Sequence, residues 1–193
     1  MLKRTKIVSL LEADQPIEKV LVKGWVRTRR DAKDFSFIEL NDGSSLKNIQ
    51  IIANNNLSNY EEVKKITTGS SLAVTGALVE SKGGNQKYEI VAGEIEIYSL
   101  APDDFPLQKK KHTDEYLRTI AHLRPRTNKY GAAFRVRSEL SFAIHKFFND
   151  RGFRYVHTPI ITGSDCEGAG EMFQVTTLDL NNVPKLPDGS VDY

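Results

Sequence analysis

The stretch VLVKGWVRTRRDAKDFSFIEL, residues 20–40, decides the predicted fold, because β-branched, aromatic and small residues alternate along it with polar ones. It holds the first two of five segments that share this two-residue period before residue 101. Clusters of Asn, Asp, Lys and Gly separate the segments and predict turns between strands. The residues that define the five predicted strands are Val20, Val22, Gly24 and Val26; Phe35, Phe37, Ile38 and Leu40; Ile49, Ile51 and Ile52; Leu72, Val74 and Gly76; and Tyr88, Ile90, Ile95 and Ile97.

One helical segment, residues 60–66, interrupts the strands between the third and the fourth, with Ser58 as its predicted N-cap. Five strands with one helix at this point, in about 80 residues, is the order of an OB-fold barrel. We therefore predict a five-stranded OB-fold β-barrel over residues 1–100. A small sandwich or an SH3-like barrel is the alternative.

The hydrophobic period changes after residue 100. A polar, proline-bearing stretch with the lysine run at 109–111 predicts a linker with a short helix over residues 101–126. A long helix follows in the region 127–193 and stops at Gly152, the predicted left-handed position, before predicted strands at 153–157 and 172–176. Because these elements make a poor core of their own, we expect the chain to be a piece of a longer protein.

Composition excludes several classes of protein. With 193 residues, 39% hydrophobic and 27% charged, the chain is neither collagen-like nor a disordered tail. One cysteine forms neither an internal disulfide nor a zinc site, and the four histidines are scattered, so we predict no metal site. The apolar runs fall far short of the ~20 residues that cross a bilayer, and residues 1–10 are too charged and too short for a signal peptide, so the expected compartment is the cytoplasm without a membrane partner.

The first three predicted strands carry a pattern typical of single-stranded nucleic-acid binding. Rings stack on unpaired bases, and guanidiniums bind phosphates. We expect one of the two phenylalanines of the second strand to point inward and the other outward. Net charge is only +2, so a solvated strand end remains the simpler interpretation of the basic residues alone. The residues concerned are Trp25, Arg27, Arg29, Arg30, Phe35 and Phe37, with Gln50 and Glu89 as polar groups that could read base edges.

Four segments carry a family resemblance over nearly the whole chain. They are GWVRTRRD (24–31), FSFIEL (35–40), YLRTIAHLRPRT (116–127) and FFNDRGFRYVHTPIITGSDCEGAGEMF (147–173). Together they resemble the N-terminal portion of bacterial-type asparaginyl-tRNA synthetases, in the aspartyl, asparaginyl and lysyl subgroup of class II. The resemblance implies an OB-fold barrel followed by the start of an α+β class II catalytic domain, with the helix and strand of motif 1.

The resemblance also implies roles for residues of the barrel. Phe37 would stack on an anticodon base, Gln50 would bind the central uridine, and Glu89 would bind the first anticodon base. Arg27 and Arg29 would supply charge for the RNA backbone.

Beyond the barrel, Glu167 would receive the α-ammonium of the amino acid in a closing loop, with Glu171 as a weaker candidate and no catalytic acid or base implied. The partners would be tRNA(Asn), L-asparagine, ATP with Mg²⁺, and a second copy of the chain bound through motif 1. The arginines of motifs 2 and 3 would lie past residue 193. We therefore expect no bound cofactor in this chain alone and no formation of aminoacyl-adenylate by it.

Two other functions remain open from the residues alone. An aspartyl or non-discriminating synthetase would share the barrel and motif 1, although the loop CEGAGEMF departs from the aspartyl pattern. A free-standing OB-fold RNA-binding module would need only the barrel.

Overall fold

The computed structural model describes residues 2–84, 86–163, 168 and 175–192. The chain divides into two compact units, Met1–Ile144 and His145–Tyr193. The elements in chain order are α1 (Ile7–Leu11), β1 (Ile17–Asp31), β2 (Phe35–Asn41), β3 (Ile49–Asn54), α2 (Tyr60–Val63), β4 (Ser71–Glu80), β5 (Tyr88–Ser99), α3 (Asp114–Thr119), a 3₁₀ turn (Arg124–Arg126) and α4 (Asn128–Asp150).

The five strands close into a barrel in the order β1-β2-β3-β5-β4. The long strand β1 makes closure possible, because its first part pairs with β4 and its last part pairs with β2, both antiparallel. β3 and β5 pair in parallel, with Ile51 opposite Ile90. This topology confirms the predicted OB-fold barrel.

Alternation along each strand fills the barrel with aliphatic side chains. In β2 the buried positions are Ser36, Ile38 and Leu40, and in β3 they are Ile49, Ile51 and Ala53. The intervening residues are half-buried on the outer surface. The same two-residue period therefore forms both the core and the outer surface that could bind a ligand.

The structure corrects the predicted helices of the barrel. α1 was not predicted, and the helix between β3 and β4 starts from Asn59, not from Ser58, without a side-chain cap. α1 also lacks a local side-chain cap at Lys6. Its first amides are bound instead by the turn after β2: Ile7 N donates to Asp42 Oδ2 at 3.0 Å, and Val8 N donates to Ser44 Oγ at 3.0 Å.

We expect Asp42→Asn to destabilise the barrel by about 1 to 3 kcal/mol at pH 7, because an amide cannot accept all the hydrogen bonds of this carboxylate. The Asp42 side chain is 1% exposed. Burial by itself would raise its pKa, but hydrogen bonds from Ser44, Ile7 and Arg4 together hold the pKa below its ordinary value. The stabilisation is thus present above the unfolded pKa of about 3.9 and is lost as the pH falls through the lower folded pKa.

Thermal unfolding followed by circular dichroism at pH 7 and under acid checks this expectation. The variant should lose less stability on acidification than the wild type does. Asp34→Asn is the matched control, because Asp34 is exposed in the turn before β2. Equal destabilisation by both substitutions would contradict the role of Asp42.

The region after the barrel contains α3 and the long helix α4. Thr113 caps α3, its hydroxyl accepting from Tyr116 N at 3.2 Å. α4 confirms the predicted long helix, and none of its residues, all of which the structure describes, is buried. Gly152 follows α4 with a φ of 88°, as predicted for the helix stop.

The predicted strand at residues 153–157 is not formed in the structure. A strand needs a neighbour for its backbone hydrogen bonds, and within the described part of the C-terminal unit the one β-bridge joins Lys185 and Val191. Most of the predicted strand at 172–176 lies outside the described residues.

Candidate nucleic-acid interface

A groove of about 1140 Å³ runs over the outer surface of the barrel. β1, β2, β3 and β5 all contribute side chains to it, and so does the hairpin between β4 and β5. Phe35, Phe37, Gln50 and Glu89 line the same groove. The structure therefore brings together the aromatic and polar groups that the sequence singled out.

The aromatic part of the groove consists of two phenylalanines and one arginine. The rings of Phe35 and Phe37 pack edge to face with their centroids 4.9 Å apart. The guanidinium of Arg30 lies 4.5 Å from the centroid of the Phe37 ring. Flat rings and a planar cation at an open surface are suited to stacking on nucleobases.

The expectation that one phenylalanine points inward was wrong. Phe35 and Phe37 are both half-buried on the outer face, and Ser36 and Ile38 between and beside them are fully buried. Residues two apart in a strand share a face, so both rings had to lie on the same side.

The polar part of the groove is a pair of side chains from neighbouring parallel strands. Gln50 Nε2 donates to Glu89 Oε2 at 3.0 Å. Glu89 is only 5% exposed, although its strand neighbour Ile90 fills the barrel core and Glu89 faces the other side. Among the ion pairs of the described residues, none involves this carboxylate.

Arg27 and Arg29 lie away from this groove and are bound by other parts of the protein. Arg29 Nε donates to the Ile66 carbonyl at 2.9 Å, and its terminal nitrogen binds the Asp31 carboxylate at 2.6 Å. The Arg27 guanidinium donates to the carbonyl of Arg126. Burial lowers the pKa of Arg27, with the charge of Glu39 opposing the shift. A role of either arginine on the RNA backbone stays a prediction.

Arg30 is one of the three guanidiniums that the strand pattern indicated for nucleic-acid binding, but the family resemblance implied no role for it, and it is the one of the three that lines the groove. It pairs with Phe37 across β1 and β2, and a register shift between Val26 and Thr28 sets this pairing. Its place could have been inferred from antiparallel pairing, but only with the position of the shift known. Lys82, Lys87 and Lys109 also line the groove and add positive charge.

Trp25 belongs to a separate cavity of about 390 Å³ between the barrel and the start of α4. The guanidinium of Arg126 lies 4.7 Å from the centroid of its ring. The Arg135 guanidinium, on α4, donates to the carbonyl of Gly43. The two contacts join the barrel to the segment that follows it.

Glu167 and Glu171, the two residues implied to bind an amino acid, lie outside the described residues. Within residues 2–84, 86–163, 168 and 175–192, no group of three or more His, Cys, Asp or Glu side chains could hold a metal ion. No described residue is therefore assigned to Mg²⁺. None of the described helices is long and apolar enough to span a membrane.

Comparison with known families defines the class of protein. Residues 20–98 match the family described as OB-fold nucleic acid binding domain, and residues 113–188 match tRNA synthetases class II (D, K and N). The chain thus combines the OB-fold barrel with part of a class II aminoacyl-tRNA synthetase of this group. Its sequence matches the N-terminal portion of asparagine--tRNA ligases, as the resemblance implied.

Individual relatives support this placement. The chain is 58% identical over 191 residues to an asparagine--tRNA ligase of Oleidesulfovibrio alaskensis, covering 98% of this chain and 41% of the relative. It is 60% identical over 177 residues to that of Acetivibrio thermocellus, covering 91% and 38%. The asparaginyl-tRNA synthetase of Pyrococcus horikoshii, solved with asparaginyl-adenylate, shares the fold with a TM-score of 0.78 at 24% identity, covering 93% of this chain and 42% of that one. The chain spans about 40% of the length of these curated relatives.

Proposed function

We propose that the barrel of this chain binds the anticodon of tRNA(Asn) within an asparagine–tRNA ligase. The ligase would activate L-asparagine with ATP and transfer it to the tRNA in the cytoplasm. The observation that carries the proposal is the groove in which Phe35, Phe37 and Arg30 adjoin the Gln50–Glu89 pair. Identity of 58% to an asparagine--tRNA ligase supports the choice of ligase.

Different side chains would stack on the bases and select among them. Phe37 would stack on an anticodon base, because its ring lines the open groove beside Arg30 and Phe35. Stacking tolerates every base, since every base has a π-face. Selection among bases therefore has to come from the polar pair.

The hydrogen bond between Gln50 and Glu89 supports complementary tasks for the two residues. Glu89 accepts one of the two N–H groups of the Gln50 amide and so fixes its orientation, and the Gln50 carbonyl oxygen can accept from a base. A carbonyl acceptor suits the N3–H donor of uridine. The Glu89 carboxylate suits a base that presents two adjacent donors, as guanine does.

Gln50→Ala tests the proposal through selectivity. The substitution should weaken binding of a tRNA(Asn) anticodon stem–loop by about fivefold, as the loss of one hydrogen bond predicts, and reduce the preference for uridine at the central position. Gel shift with RNAs that differ only at that base measures both effects. Gln15→Ala, which removes an exposed amide before β1, is the matched control. Equal affinity of the wild type across all central bases would refute the assignment.

The amino-acid site and the dimer are also part of the proposal. Glu167 would bind the α-ammonium of asparagine, with Glu171 as the weaker candidate, and ATP with Mg²⁺ would serve the whole ligase. A second copy of the chain would pack on α4, where Val136 is 66% exposed and Phe142 is 67% exposed. Apolar side chains on more than one face of a helix are expected where it contacts both its own subunit and a partner.

An aspartyl or non-discriminating ligase is the second candidate. A putative aspartyl-tRNA synthetase of Leishmania major shares the fold with a TM-score of 0.70 at 20% identity, covering 82% of this chain and 34% of that one. Charging of tRNA with L-asparagine against L-aspartate by the whole product of the gene distinguishes the two. Preferential attachment of asparagine supports the first candidate.

A further inference from the structure

The carboxylate of Glu89 is held from one side only. Gln50 Nε2 and Ser81 Oγ each donate to its Oε2 at 3.0 Å, and Gln86 Nε2 approaches the same oxygen at 3.5 Å. Every side-chain hydrogen bond that the described residues make to this carboxylate therefore converges on Oε2. This arrangement leaves Oε1 as the oxygen that can accept from a ligand in the groove.

Ser81 is itself fixed by the hairpin between β4 and β5. Its backbone N donates to the Lys87 carbonyl at 3.0 Å, which closes the hairpin. Gly83 N donates to Ser81 Oγ at 3.2 Å. A hydroxyl carries one proton, so a Ser81 oxygen that accepts from Gly83 has its own proton free to donate to Glu89.

We infer that Ser81 is a positioning residue for recognition of the first anticodon base. Together with Gln50 it fixes the rotation of the Glu89 carboxylate, so that Oε1 meets the adjacent imino and amino donors of guanine. This inference rests on the proposed function and adds to it a residue that does not itself contact the base.

A purely structural role for Ser81 would make its alanine variant less stable, whereas a positioning role changes base selectivity. Ser81 lies outside the buried core of the barrel, and its loss leaves the Gln50–Glu89 hydrogen bond in place. Alanine at this position therefore removes one of the donors that hold the Glu89 carboxylate and widens its range of rotation, without opening a cavity. The effect should appear in base selectivity and not in the thermal stability of the chain.

The test uses the full 193-residue chain and anticodon stem–loop RNAs that carry guanine or adenine at the first anticodon position. Adenine presents an acceptor where guanine presents its imino donor, so the wild type should prefer guanine. Ser81→Ala should lower the affinity for the guanine RNA about fivefold and leave the adenine RNA unaffected, which reduces the guanine-to-adenine ratio. Ser81→Thr keeps the hydroxyl and should restore the ratio. Fluorescence anisotropy at fixed salt measures all the affinities.

Each outcome decides the inference. A loss of the preference in Ser81→Ala together with its retention in Ser81→Thr supports it. If Glu89→Gln loses the preference and Ser81→Ala keeps it, or if Ser81→Ala weakens both RNAs equally, the positioning role is overturned while the proposed function stands. If the wild type shows no preference between the two RNAs, the proposed function fails and the inference fails with it.

Discussion

Phe37→Ala should lower the affinity of the chain for a tRNA(Asn) anticodon stem–loop by roughly 5- to 150-fold, as the loss of ~1 to 3 kcal/mol of stacking per base predicts. The Phe37 ring contacts both other members of the aromatic part of the groove, Phe35 and Arg30. Its removal takes away the stacking surface and the group that orients the Arg30 guanidinium. The loss should be similar for every central base, because stacking does not discriminate among bases.

Fluorescence anisotropy at one salt concentration measures this affinity. Tyr98→Ala is the control, because Tyr98 is an exposed aromatic residue of β5 with Lys23 beside it and does not belong to the groove. Phe37→Trp should keep most of the affinity, because indole also stacks. A Phe37→Ala variant that binds as tightly as the wild type, or an equal loss in Tyr98→Ala, would contradict the proposed stacking site.

The strands of the barrel could be predicted from the sequence because their signal is local. The two-residue period of β2 and β3 and the turn residues between them are visible in short windows. α1 was not predictable in this way, because Asp42 and Ser44, which bind its first amides, lie about 35 residues further along the chain. A helix capped by a distant turn has no local N-terminal signal.

The candidate site was predictable only in part. Gln50 and Glu89 come together because β3 and β5 pair in parallel, which the OB-fold order implies once five strands are assigned. Arg27 and Arg29 could not be placed, because the register shift after Val26 decides which side chains of β1 reach the groove. Because residues 27–31 are all polar, hydrophobic alternation could not reveal this shift. The same register shift places Arg30 opposite Phe37.

Gly76→Ala should destabilise the barrel by about 3 kcal/mol or more. Overpacking usually costs about 1 to 3 kcal/mol, and the cost is at the high end where the crowded atoms belong to the backbone. A Cβ on Gly76 would overlap the carbonyl oxygen of Val91 and would lie 3.0 Å from the Cα of Ala92. Both atoms belong to the backbone of β5 and cannot rotate away. Gly76 also pairs with Val20 of β1, so displacement of β4 would disturb both neighbours through which the barrel closes.

Urea unfolding followed by the fluorescence of Trp25, the single tryptophan, reports on the barrel and measures this loss. Gly93→Ala is the matched control in β5, because a Cβ there would lie 3.7 Å from its nearest neighbour, the carbonyl oxygen of Thr75, which is ordinary contact. The control should change stability by less than about 1 kcal/mol, since alanine restricts the unfolded chain without straining the fold. Equal unfolding midpoints for the two variants would mean that β4 and β5 can separate at Gly76 without cost. The close approach of β4 and β5 at Gly76 would then not be what shapes this part of the barrel.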